Sequence, residues 1–243
     1  MKQRLLALIA LVCALSTPMT ASAYVLGPTN PGKWGDPTMG TGAIVTWSLM
    51  NTGTSCAAEF AGCTTTSLAD FMPAGFLSVV ESAFAAWSAV ADINFVMVAD
   101  DGAAFNVPGT SGNIRLGGHA FDGAFGVLAH GYYPPRNGNT AAGDIHFDIA
   151  ENWKLGFGGS GFDLFQVLTH ELGHAIGLDH SSVPRSLMNP YYTEQFRGPQ
   201  ADDIAGARYI YGAPKAQVPE PGVLALFGLA LAGLALSRRR AAR

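Results

Sequence analysis

Little of this chain is charged: Asp, Glu, Lys and Arg make up only 13% of its 243 residues. Basic side chains are the scarcer sign. Residues 24–217 hold Lys33, Arg115, Arg136, Lys154, Arg185, Arg197, Arg208 and Lys215 against 17 acidic residues, a net charge of about −9 where the whole chain carries −4. A domain of that sign repels phosphate backbones, so no nucleic acid partner is expected, and divalent cations are favoured. Long apolar runs are missing too. The two that occur, Leu5–Leu15 and Val223–Leu236, fall short of the ~20 residues that a stable membrane helix needs. No internal repeat is evident.

Both short runs have the flanks of sorting signals. The first follows Lys2 and Arg4 and precedes Ala21-Ser22-Ala23, an A-x-A cleavage site. Residues 1–23 therefore read as a secretory signal peptide, with Tyr24 the mature N-terminus. The second lies between Val218-Pro219-Glu220-Pro221 and Ser237-Arg238-Arg239-Arg240, an apolar helix stopped by cations that stay in the cytoplasm. Residues 218–243 resemble the PEP-CTERM signal of Gram-negative bacteria. That resemblance implies transient contact with the inner membrane, processing by an exosortase near Pro219–Pro221, and delivery to the cell surface or extracellular matrix. A plain C-terminal anchor is the alternative. The remaining residues, 24–217, have the length of one domain.

Cysteine is almost absent. Cys13 falls in the signal peptide, which leaves Cys56 and Cys63, an even pair in an exported domain and so an expected disulfide. The alternative is a thiolate that blocks a metal, but no Pro-Arg-Cys-Gly-type motif surrounds either cysteine.

Against this background the six histidines stand out, because they fall into two clusters. One reads His170-Glu-Leu-Gly-His174-Ala-Ile-Gly177-Leu-Asp-His180, the string H-E-x-x-H-x-x-G-x-x-H. On a helix, His170 and His174 share a face and can grip one zinc ion, with Glu171 beside the position of a bound water. Gly177 can end the helix in a left-handed turn, so that the chain doubles back and delivers His180. Three protein ligands and one open position make a catalytic zinc site, whereas structural sites are closed by four. Downstream, Ser186-Leu187-Met188-Asn189-Pro190 forms a short apolar turn whose Met188 matches the Met-turn of metzincin peptidases.

Patterning predicts an α+β domain. Strands are expected at Ala43–Met50, Ile93–Val98, Asn113–Gly117, Phe125–Tyr133 and Asp144–Phe147, and helices at Pro73–Val90, Phe162–Ile176 and Gln200–Tyr211. Pro73 suits a first helical turn, and Asp202 and Asp203 sit where the last helix's dipole favours acids.

Over residues 33–212 the chain resembles a matrixin, the metzincin branch of the matrix metallopeptidases. Lys33-Trp34, Asp144-Ile-His146-Phe-Asp148, the zinc string and the segment from Gly198 to Gly212 carry the likeness. It implies a zincin-like fold, a twisted mixed sheet of five strands with about three helices. It implies catalytic zinc on His170, His174 and His180, with Glu171 as general base. The second cluster, His119, His130 and His146, is expected to hold a structural zinc. His119 is a substitute for a missing His-x-Asp pair, and a fourth ligand is unassigned. Asp122, Asp148 and Glu151 match a calcium site, and Asp144 matches part of a second. Leu128 and Ala129 would pair with an extended polypeptide substrate, and Pro190 and Tyr192 would wall the pocket after the cut. Tyr191 reads as packing. The resulting expectation is an exported zinc endopeptidase. The alternative is a metzincin-fold surface or matrix binding protein, catalytically silent or highly selective.

Overall fold

The computed structural model describes residues 23–109, 111–136 and 140–215, so the expected signal peptide (apart from Ala23) and sorting signal lie outside the described residues. The N-terminal segment contributes a two-residue strand, β1 (Val25–Leu26), and the main sheet begins with β2 (Ala43–Leu49). The β-branched and aromatic residues of β2 alternate as a half-covered strand requires. Val45 and Trp47 enter the core, whereas Ile44 is 71% exposed. Behind it, α1 (Leu68–Phe71) is a single turn capped by the Ser67 hydroxyl.

The next helix, α2 (Phe76–Ser88), starts later than its sequence suggests. Gly75 takes φ +90°, a left-handed conformation that excludes Pro73 from the helix. Val80, Ala83, Phe84 and Trp87 line its buried face at helical spacing, and Phe84 stacks on Trp47 at 4.7 Å. β3 (Ile93–Met97), β4 (Ile114–His119), β5 (Ala129–Gly131) and β6 (Ile145–Asp148) complete a five-stranded sheet in the order β3-β2-β4-β6-β5. All pairings are parallel except β5 with β6, so the sheet is mixed, as expected.

β5 is much shorter than the strand predicted over Phe125–Tyr133. Phe125 adopts φ +69°, and the Val127 N–H donates to the Asp122 carboxylate, so this stretch turns before it can pair. A small ribbon of β7 (Trp153–Lys154) and β8 (Phe162–Asp163) leads into α3 (Leu164–Ala175). Every residue of α3 except His170 is buried. The Trp87 indole donates to the Thr169 carbonyl and the Trp34 indole to the Ala175 carbonyl, which ties α2 and the N-terminal segment to this helix. β9 (Leu178–Asp179) follows at once and pairs with β1. The last helix, α4 (Ala201–Tyr211), opens with a reciprocal cap between Gln200 and Asp203. Four helices are thus described where about three were expected, the extra one being the single turn α1.

Candidate functional site

α3 brings its two histidines to one face by helical periodicity, and the chain beyond it returns the third. Gly177 makes the return possible at φ +108°, where a Cβ would lie 2.1 Å from the Gly32 carbonyl oxygen. Its carbonyl accepts from the Gly27 N–H, and the β1–β9 pairing clamps the same loop. As a result, the Nε2 atom of His180 lies 3.3 Å from that of His170 and 3.2 Å from that of His174. A tetrahedral zinc with bonds of about 2.0–2.1 Å places its ligand nitrogens roughly 3.3–3.4 Å apart. The spacing therefore fits the ion.

The other ring nitrogens fix the tautomers. His170 Nδ1 lies 2.7 Å from the Leu187 carbonyl, and His174 Nδ1 lies 2.8 Å from that of Leu178. A carbonyl can only accept, so both Nδ1 atoms carry hydrogen and both Nε2 lone pairs are free. Burial, then the charges of neighbouring histidines, pushes His170 down to about 3, and burial pushes His174 down to about 4. Both rings are neutral at pH 7, the form a metal requires.

Glu171 faces the same space. Burial pushes its carboxyl up to about 8, against a hydrogen bond from the Gly131 N–H that pulls it down. A divalent cation next to it would favour the ionised form. The absence of a side chain at Gly131 is what lets β5 approach: a Cβ there would sit 2.8 Å from the Glu171 carbonyl oxygen. Met188 is buried under α3, its sulfur so near Gly173 that a Cβ on that glycine would meet it at 2.2 Å. Asp203 holds this turn from α4, accepting from the Leu187 and Met188 N–H groups and the Ser186 hydroxyl.

These parts border a cleft of about 440 Å³. Of the expected substrate-contacting residues, Leu128, Ala129, Pro190 and Tyr192 all line it, together with His170, Glu171 and His180. Tyr191 lines it too and is 81% exposed, which corrects its reading as packing. Phe125, 84% exposed, stands at the same cleft and had no sequence signal beyond its hydrophobicity.

The second histidine cluster also comes together, with a fourth member that the sequence did not disclose. His119 ends β4, His130 is on β5 and His146 on β6, so the sheet register places them side by side. Glu59 reaches in from the Cys56–Cys63 loop. Its carboxylate lies 2.5 Å from His130 Nε2, 2.7 Å from His146 Nδ1 and 3.4 Å from His119 Nε2. Burial raises the Glu59 pKa, but the hydrogen bonds to the three imidazoles outweigh it and hold the group far below the usual carboxylate range. The cysteines themselves are joined as a disulfide, with Cα atoms 4.9 Å apart, so neither is a thiolate free to block a metal.

The expected calcium ligands are placed differently. Asp122, Asp148, Glu151 and Asp144 form no cluster of converging donors among the described residues. Asp122 is used by the Val127 N–H. Asp148 keeps one buried oxygen, and Glu151 both, without a hydrogen-bond partner, which is the kind of donor a hard cation satisfies. Asp144 is buried with both oxygens unpartnered, and its carboxyl is raised well above the usual range, chiefly by burial, while the Arg115 charge opposes the shift. Part of the loop expected to face it, residues 137–139, lies outside the described residues.

Comparison with known proteins agrees with the geometry. The matrixin family profile matches residues 64–212, well over half of the chain. The chain belongs to the matrixin family. A second profile, the PEP-CTERM protein-sorting motif, matches residues 217–240. Among similar proteins, Karilysin of Tannerella forsythia is 41% identical over 138 residues, 56% of this chain and 29% of its own. Matrix metalloproteinase-20 of Homo sapiens is 37% identical over 147 residues, 58% of this matrixin and 29% of its own length. Stromelysin-3 of Xenopus laevis is 47% identical over 104 residues, 42% of this matrixin and 20% of its own. The matrixin thus spans less than a third of each of these relatives.

Proposed function

We propose that this matrixin is an exported zinc-dependent endopeptidase in which Glu171 is the general base. The observation that carries the reading is the convergence of three imidazole Nε2 atoms at tetrahedral spacing, beside a buried carboxylate, on the wall of an open cleft. Zinc, when bound there, supplies a Lewis acid for the scissile carbonyl and an acidified water. Glu171 would take a proton from the attacking water and deliver it to the departing amine. Its burial and the Gly131 N–H hold the carboxylate in one place for both transfers. No covalent intermediate is required.

The substrate lies extended along β5, where Leu128 and Ala129 offer backbone groups and lengthen the sheet by one strand. Pro190 and Tyr192 wall the pocket for the side chain after the cut, and the Tyr192 hydroxyl is fixed by bonds to Glu194 and the Asp163 N–H. His119, His130 and His146 hold a second, structural zinc. Asp148 and Glu151 bind calcium through oxygens that lack a protein partner, and Asp122 caps the separate turn at Val127 that precedes β5. The sorting motif supports export, exosortase processing and a cell-surface or matrix location in a Gram-negative bacterium.

The test is zinc content and casein or gelatin cleavage by the purified protein beside Glu171→Ala. General-base loss is expected to lower turnover by about 10²–10⁴-fold with metal retained. Equal cleavage by both proteins removes Glu171 from the mechanism, and no cleavage by either, with zinc bound, removes the general endopeptidase.

A further inference from the structure

The second cluster contains an unresolved electrostatic conflict that one cation would settle. His119 Nδ1 lies 3.0 Å from the Ala120 carbonyl, so it carries the hydrogen and leaves a bare lone pair on Nε2. That lone pair faces a Glu59 oxygen at 3.4 Å, and His130 and His146 nitrogens face the same carboxylate at 2.5 and 2.7 Å. Lone pair against carboxylate is repulsive unless something positive lies between them. His119 and His146 are almost wholly inaccessible, so bulk water does not screen that contact. A single divalent ion among these four donors removes the repulsion, with Glu59 drawing back from its 2.5 and 2.7 Å contacts toward the roughly 3.3 Å spacing of tetrahedral ligands. Three imidazoles with one carboxylate are a donor set that zinc accepts.

Glu59 owes its position to the disulfide. The two cysteines are seven positions apart, and the loop between them folds on itself, with the Glu59 and Phe60 N–H groups both donating to the Cys56 carbonyl. Cys56 is buried against Phe105 and Ala141, which anchors one end of the loop beside the histidines. The match to the matrixin profile begins at residue 64, one residue past the loop. The fourth donor therefore comes from outside the residues that the family profile matches.

We propose that Glu59 is the fourth ligand of the second zinc site and that the Cys56–Cys63 disulfide, by holding its loop closed, is required for that site to bind tightly. The proposal rests on the reading of His119, His130 and His146 as zinc ligands. It makes the second site complete only in protein that has formed its disulfide.

The test is zinc stoichiometry and affinity, by metal analysis and chelator competition, on the purified full chain and two variants. The parent is expected to bind two zinc ions. Glu59→Gln, which keeps the side-chain shape, should lose the second ion, with affinity down by more than the ~10–100-fold that changes outside the ligand set cost. Cys56→Ser/Cys63→Ser should weaken the same ion by about 10–100-fold, the order expected from reopening a short loop. The ion on His170, His174 and His180 should stay bound in both, which reports that each variant is folded. A parent that binds one zinc, lost on His170→Ala, overturns the second site itself. A parent that binds two, with Glu59→Gln unchanged, overturns the ligand assignment alone. Loss in Glu59→Gln but not in the double serine variant overturns the role of the disulfide.

Discussion

Removing the Asp203 carboxylate should damage both the stability of the fold and the first metal site. Asp203 is 1% exposed and accepts from the N–H groups of Leu187, Met188 and Gln200 and from the Ser186 hydroxyl. Asp203→Ala would leave three buried donors, the Leu187 and Gln200 N–H groups and the Ser186 hydroxyl, without that acceptor, while the Met188 N–H keeps the Ser186 oxygen. Each such orphan costs about 1–3 kcal/mol, and relaxation with water entry favours the lower end, so the total should be about 3–5 kcal/mol. For a domain of this size, 1 kcal/mol shifts Tm by roughly 2–4 °C, so a fall of about 10 °C is expected. The damage should travel further, because the Leu187 carbonyl orients His170 through Nδ1 at 2.7 Å. Slack in that turn should cost about 10–100-fold in zinc affinity at the His170 site, while the His119 cluster, carried on other elements, keeps its metal. Calorimetry and chelator competition measure the two effects. An unchanged midpoint and an unchanged affinity would refute the reasoning and assign the turn's position to the packing of Met188 alone.

Gly177→Ala should destabilise the fold by at least about 2 kcal/mol and weaken metal binding through His180, because the position combines a left-handed φ with a backbone contact at 2.1 Å. Denaturant unfolding with metal analysis checks it, and a fully loaded, equally stable variant would contradict it. Arg115→Met should cost about 3–5 kcal/mol, because it strands Asp100, whose buried carboxylate takes two hydrogen bonds from the guanidinium. Burial raises the Asp100 pKa, but the Arg115 bond and the Gly102 and Ser48 bonds outweigh it, so the folded value is depressed. The pair's contribution is therefore complete above the unfolded value of about 3.9 and is lost as pH falls through the folded value. Parent and Asp100→Asn melting curves should accordingly converge on acidification, and parallel curves would contradict this. Stripping metal with a chelator should lower Tm, and restoring zinc at about 100 times its Kd should return roughly 2.7 kcal/mol. A melting temperature indifferent to the chelator would count against metal at both clusters.

The convergence of the first histidine cluster was legible because its geometry is local. Helical periodicity alone places His170 beside His174, and Gly177 marks the reversal that returns His180 within six residues of the helix. The second site was legible only in part. Sheet register brings His119, His130 and His146 together, and patterning gives strands through His130 and His146 but one that stops at Gly117, two residues short of His119. Glu59 could not be read this way, because a lone acid in a loop has no periodicity and its contact with His146 spans 87 residues. The one clue was its place inside the Cys56–Cys63 span, the only acid between Asp36 and Asp70. The strand over Phe125–Tyr133 was overextended for a similar reason. Alternating apolar residues there imitate a strand, while the Asp122 side chain captures the backbone and bends it.

On the proposed alignment of substrate along β5, the strand's place at the end of the sheet limits what this matrixin would cut. A chain laid against that three-residue strand must first give up its own internal pairing over the stretch to be cleaved. Termini and loose loops do so freely. A folded neighbour does so only by opening locally, and an opening that costs about 4 kcal/mol exposes roughly one molecule in a thousand at any moment. Cleavage would then track the stability map of the target more closely than its list of side chains. Damaged or unassembled proteins would be degraded first, and intact ones would be spared by their own folding.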